Sequence, residues 1–166
     1  MAVAGIIAAA VGVMLLIVVA YVVVGATITA AETVSNAQKD LTLQNEMRIR
    51  TAFTIIDPQN SRSIITSNVS ITSNVSNTGT EIISDFNHMD VIVYDTGSNE
   101  YQVCTYDSSG SGTPGTWYIT NRYQDFIHPS ELDPGEKYQI LVTTRGDSPH
   151  WFQITTSNGV YASAFV

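Results

Sequence analysis

The first charged side chain in this chain is Glu32; Met1 to Ala31 carries none. A run of that length exceeds the roughly 20 residues that cross a bilayer's hydrocarbon core, so water cannot be its solvent. Either acyl chains or other copies of the same helix must cover it. Whatever the remaining sequence encodes has to work while attached to such a segment.

The run Ile6 to Val24 lacks the basic start and the polar cleavage region of a secretory signal. Beyond Ala31 no Gly or Pro interrupts the chain as far as Arg50, and Val34, Ala37 and Leu41 recur at three- and four-residue steps. This spacing predicts one helix over residues 1–50, apolar over 1–31 and amphipathic over 32–50. At about 1.5 Å per residue such a helix is about 75 Å long, more than twice a bilayer's hydrophobic thickness, so one end must project beyond any membrane. Small residues such as Ala4, Gly5, Ala8, Gly12, Ala20 and Gly25 recur among branched ones and let helix backbones approach closely. The residues assigned to self-assembly are Ile6, Ile7, Val11, Met14, Leu15, Val18, Tyr21, Val22, Gly25 and Ile28. No ionisable group before Glu32 offers an ion site or proton relay, so the helix is expected to bind rather than conduct.

The 166 residues carry a net charge of -8. In residues 1–50, Glu32, Asp40 and Glu46 cancel Lys39, Arg48 and Arg50, so the excess lies in 51–166, where twelve acids face Arg62, Arg122, Lys137 and Arg145. That acidic part is repelled by phosphate backbones, and nucleic acid is not expected as a partner. Cys104 is the only cysteine and reads as a small buried hydrophobe; no intrachain disulfide is possible.

From about Ala52 the period changes from helix to strand. Asp57-Pro58-Gln59-Asn60-Ser61 reads as a turn, and Ile65-Thr66-Ser67-Asn68-Val69-Ser70 is repeated as Ile71-Thr72-Ser73-Asn74-Val75-Ser76. Because six is even, both copies keep one strand phase: Ile65, Val69, Ile71 and Val75 share a face with Ser67 and Ser73, while Asn68 and Asn74 lie opposite. Six further β-branched or aromatic runs follow between turn residues, with Ser108 to Gly115 read as a hairpin loop. The expected fold class is α+β: a long N-terminal apolar helix, then an antiparallel immunoglobulin-like β-sandwich over 51–166, with a partly closed barrel as second choice.

Signatures of catalysis are missing. His88, His128 and His150 are widely separated, no second cysteine completes a zinc set, and the aspartates lack the dense alternation of a calcium loop. Nucleophile elbows and phosphate-binding glycine loops are absent, so no enzyme, cofactor or metal is expected. Trp117, Tyr118, Tyr123, Trp151 and Phe152 read as core aromatics before they read as a carbohydrate face. The sequons Asn68-Val69-Ser70 and Asn74-Val75-Ser76 make Asn68 and Asn74 N-glycosylation candidates, and nearby hydroxyls are candidates for O-linked sugar.

The uncharged segment Val3 to Ala31, the polar helix Glu32 to Arg50 and a C-terminal sandwich together resemble archaeal type IV pilin-like proteins, most closely the archaellins, the flagellins of archaea. Within the head, Val75-Ser76-Asn77-Thr78-Gly79, Met89-Asp90-Val91-Ile92 and Leu132-Asp133-Pro134-Gly135-Glu136 look like the head domains of archaellins and archaellum accessory proteins. Precursors in that family carry a short basic leader; none is present, which implies the processed form. The resemblance implies a precursor held in the membrane by Met1 to Ala31, trimmed by a prepilin-type peptidase and moved by an ATPase platform into a helical homopolymer. The heads would then face outward on an extracellular filament at the archaeal cell surface. Two other readings are a membrane-anchored archaellum accessory or stator protein whose head binds the surface layer, and an adhesive pilin using the Ser108–Gly115 loop.

Overall fold

A computed structural model describes residues 2–62, 69–123, 125 and 127–166. Helix α1, Ala2–Arg50, is unbroken. The chain forms two compact units, one ending at Gln44 and one running Asn45–Val166, so the last helical turns belong with the head. Thr51 closes the helix by donating its N–H (3.0 Å) and its hydroxyl (2.8 Å) to the Met47 carbonyl. Arg50 O accepts from Thr80 N (2.9 Å), and Ala52 O accepts from Thr78 N and Gly79 N. A side chain at Gly79 would collide with the backbone at Arg50 and Ala52, which is why the turn needs glycine there.

Eight strands follow: β1 Phe53–Arg62, β2 Val69–Asn77, β3 Asp90–Asp95, β4 Glu100–Tyr106, β5 Thr116–Tyr123, β6 Lys137–Thr143, β7 Pro149–Thr155 and β8 Tyr161–Phe165. Their order is β1-β2-β6-β5-β4-β3-β7-β8, and β1 comes back against β8, so the sheet nearly closes. The fold is α+β with a β-sandwich-like head. Its core joins Ile71, Trp117, Tyr138 and Val142 from the β1-β2-β6-β5 half with Val91, Val93, Cys104, Phe152 and Ile154 from the other. Cys104 is fully buried, and burial pushes its thiol up to about 11.

The repeat placed β2 in its correct phase: Val69, Ile71, Ser73 and Val75 are buried, and Thr72 and Asn74 are half-buried on the other face. The first copy's Ile65, Ser67 and Asn68 lie outside the described residues.

Three expectations need correction. Asp57 to Ser61 is not a turn; β1 runs through it with a register shift between Ile56 and Gln59 and a positive φ of 47° at Asp57. Pro58 is tolerated because β1 is an edge strand, where a missing N–H costs no ladder bond. The sheet is not wholly antiparallel either: β4 and β5 pair in parallel at Thr105↔Thr116 and Tyr106↔Trp117. Consequently residues 107–115 form no hairpin but a loop that carries the chain from one half of the sandwich to the other.

Candidate functional site

The ten residues assigned to self-assembly all lie on α1, and all are exposed. Ile7, Met14, Tyr21 and Ile28 repeat at seven-residue steps, which keeps them on one side of a 3.6-residue helix. The opposite side, which the sequence reading left unassigned, is just as apolar: Leu16, Val19 and Val23 are exposed too. Residues 2–31 therefore have no polar stripe. Gly5, Gly12 and Gly25 have no neighbouring atoms where a side chain would stand, leaving open notches for a second backbone.

The few polar groups on this surface are satisfied within the helix. Thr29 donates to Gly25 O (3.1 Å), Thr33 to Thr29 O (2.9 Å), and Thr27 to Val23 O. A hydroxyl bonded back to its own helix asks nothing of the solvent, so the rod can leave water at little polar cost. By length and composition α1 can cross a bilayer.

Past the first thirty-one residues the helix turns polar without losing its apolar side chains. Val34, Leu41, Leu43, Met47 and Ile49 are exposed. Leu41 and Leu43 are two residues apart, roughly 200° around the axis, and so lie on opposite faces.

On the head, the acidic loops brace themselves. Asp107 accepts from the N–H and hydroxyl of Ser109 (2.9 and 2.6 Å) and of Ser111 (2.8 and 2.6 Å). The two serine hydroxyls, more than any other group, hold this carboxyl well below the usual carboxylate range. Burial works against the charge of Asp95, yet N–H groups from Ser98, Ser148 and Gly97 outweigh it and keep that carboxyl low as well. His128 Nδ1 lies 2.8 Å from Asp133 Oδ1, a contact that raises the imidazole and lowers the carboxyl. Among the described residues no three His, Cys, Asp or Glu side chains come together as a metal site would need.

Two of the three head motifs that carried the family resemblance, Val75–Gly79 and Leu132–Glu136, meet in space. Asn77 is fully buried; its Nδ2 donates to Glu81 O and Leu132 O, both at 2.8 Å, and its Oδ1 accepts from Gly79 N at 3.0 Å. Gly135 N and Asn77 N complete the knot by bonding Asn77 O and Glu136 O. The sequon residue Asn74 sits mid-strand between Ile56 of β1 and Gln139 of β6. Its Oδ1 is shut off from solvent and has no hydrogen-bond partner among the described residues.

Of the aromatics read as core, Trp117 and Phe152 are buried, Tyr118 and Trp151 are half-buried, and Tyr123 is exposed. The sequence reading missed Tyr101, Tyr161 and Phe165, which stand in solvent on the outer face of β4 and β8. Strand alternation could have separated them from their inward neighbours, but both phases of β4 are apolar: Tyr101 and Val103 in one, Cys104 and Tyr106 in the other.

No protein-family model matches the chain, and no curated protein matches it. Among solved structures it is similar to the archaellum periplasmic stator protein FlaG from Sulfolobus acidocaldarius, with a TM-score of 0.49 and 24% identity over 70% of this chain and 99% of that one. The archaellum periplasmic stator protein complex FlaF and FlaG from the same organism gives a TM-score of 0.47 and 23% identity, over 69% of this chain and 87% of that one. The archaeal flagellin FlaB1 from Methanocaldococcus jannaschii gives a TM-score of 0.49 and 10% identity, over 69% of this chain and 88% of that one.

Proposed function

We propose that this chain is a non-enzymatic structural subunit of an archaellum, held in the membrane by α1 and then assembled through α1 into a helical filament with the acidic head outside. The observation that carries this reading is the apolar surface of α1, which outlasts a bilayer. Lipid covers roughly 20 residues of helix, yet apolar side chains continue in the open from Val34 to Ile49 and on both faces at Leu41 and Leu43. Beyond the bilayer, neighbouring protein and not lipid is what would cover that part. A packed core of identical helices covers every face of every helix, and heterologous contacts that do not close give an open filament. Once out of the membrane, the hydrophobic effect holds the rods together.

An anchored accessory protein, the other reading that the sequence resemblance allows, needs cover over the first part of α1 only. Electron microscopy of native material separates the two. Long filaments containing this chain, absent when Met1–Ala31 is deleted, are expected. Discrete membrane-bound particles in the intact protein would overturn the filament assignment.

A further inference from the structure

The outer face of the β4-β3-β7-β8 half carries an aromatic row in strict register. Tyr101 pairs with Tyr94, Tyr94 with Trp151, and Trp151 with Phe165, so four neighbouring strands each contribute one ring at the same level. The Tyr94 and Tyr101 ring centroids are 4.9 Å apart, and Tyr101 meets Trp151 edge-on at 6.4 Å. The next row is Val103, Ile92, Gln153 and Ser163. Tyr101 and Phe165 are each 70% exposed, Tyr161 is 65% and Val103 is 54%.

Two properties say what covers this face. The first is charge. Residues 51–166 hold twelve acids and four bases, yet the exposed side chains of β3, β4, β7 and β8 include only two charges, Asp90 and Glu100, both at strand ends. Enrichment in Tyr, Trp and Phe with charge pushed to the rim is the composition of the buried centre of a protein–protein interface. Two acidic heads can meet here without setting carboxylate against carboxylate; a polyanion gains nothing from such a face.

The second is area. The three most exposed rings alone present roughly 400 Å² of aromatic surface. That is half of the ~800 Å² per partner buried in a standard interface, and Val103, Tyr94, Trp151 and the rim enlarge it. It also matches the largest patch an ordinary monomer leaves in water, and such patches are commonly functional.

We infer that this aromatic face is a self-recognition surface, through which the head pairs with the head of a second copy of this chain. The pairing is isologous: the same patch serves both partners about a two-fold axis, a closed contact between two membrane-held copies and distinct from the heterologous contacts of the open filament. It concerns the head unit and does not depend on how α1 is covered.

The test uses the full chain in detergent with one introduced cysteine, since buried Cys104 is not available to a linker. Ser163→Cys puts a thiol on edge strand β8 of this face, between Tyr161 and Phe165, and Asn121→Cys puts an equally exposed one on the outer face of the other half. A short bis-maleimide linker is expected to give covalent dimers with Ser163→Cys at least tenfold faster than with Asn121→Cys, which measures collisions brought about by the helices alone. Adding Tyr101→Glu and Phe165→Glu, both at exposed sites, is expected to bring the Ser163→Cys rate down to that background while circular dichroism stays unchanged. Equal rates for the two cysteines, or a Ser163→Cys rate that the glutamates leave intact, would overturn head pairing. Helix-driven assembly persisting in that case would leave the proposed function standing.

Discussion

Leu41 and Leu43 offer the sharpest measure of what surrounds α1 outside the membrane. They are 59% and 48% exposed, so about half of each side chain is still to be covered when a neighbouring helix packs on it. Full burial of a leucine is worth about 1.5–3 kcal/mol, so the uncovered half contributes about 1 kcal/mol or somewhat more. Replacing either by Asn loses that term and adds about 1–2 kcal/mol for an amide buried without a partner. The sum is about 2–3 kcal/mol per subunit, or a roughly 30- to 150-fold rise in the concentration needed to polymerise. The intrinsic helix penalty of Asn, about 0.5 kcal/mol, is too small to mimic this. The assay is sedimentation of assembled material from Leu41→Asn and Leu43→Asn separately, with alkaline extraction as a check that membrane insertion is untouched. Because the two residues face opposite ways, a filament core predicts that both substitutions raise the soluble concentration. A helix pair predicts one, and a lone anchor predicts neither. Soluble concentrations within threefold of the parent for both variants would refute protein cover on this part of the helix.

Three more outcomes are expected. Asn77→Ala removes three hydrogen bonds from a buried knot, although Leu132 O keeps Ile83 N and Gly79 N keeps Ala52 O, a loss of about 3–4.5 kcal/mol at about 1–1.5 kcal/mol per bond; thermal denaturation of the full chain in detergent should show a drop of roughly 10 °C or more, and a drop below 3 °C would remove the knot from the account. The His128–Asp133 pair should give a stability maximum between about pH 4 and 6.5, because the lowered Asp133 loses its contribution as it protonates below that window and the raised His128 loses its own as it deprotonates above it. His128→Gln should therefore narrow the gap in melting temperature from the parent as pH rises from 5.5 to 8.5; a constant gap would mean that the charge is irrelevant. Replacing Asn68 and Asn74 together by Gln should lower the apparent mass of native material without unfolding the head, and an unchanged mass spectrum would exclude N-glycans at both.

How much of this was readable in advance depended on which physical rule governed each segment. Helix α1 was plain because thirty-one uncharged residues leave almost no other solution, and β2 because a six-residue repeat preserves strand phase. The extent of β1 was hidden: Asp57-Pro58 is punctuation in any central strand and becomes harmless only at an edge, a fact of topology and not of local sequence. The parallel pairing of β4 with β5 was equally out of reach, since a Ser/Gly-rich stretch looks the same whether it folds back or crosses over. The loss at the candidate site was of the same kind. Alternation divides a strand into two faces without saying which one meets the core, so Tyr101 and Phe165 were indistinguishable from Trp117 and Phe152 until their neighbours were in place.

Charge is the variable that links the helix to the head. An acidic domain with a net excess of eight carboxylates repels its copies weakly at close range, and salt screens that repulsion beyond about 10 Å. Such a domain stays soluble on any face where charge is dense, and association is confined to the surfaces from which charge is missing. Two such surfaces in the described part of the chain are residues 3–31 of α1, with no charge over about 40 Å of rod, and the outer aromatic face of β4, β3, β7 and β8, charged only at strand ends. The first is too large to remain in water at all and must be covered before the protein leaves the membrane. The second is small enough to tolerate water, so it can wait until heads are brought together. On the proposed assembly, contact between helices comes first and supplies the local concentration that lets a weaker contact between heads form.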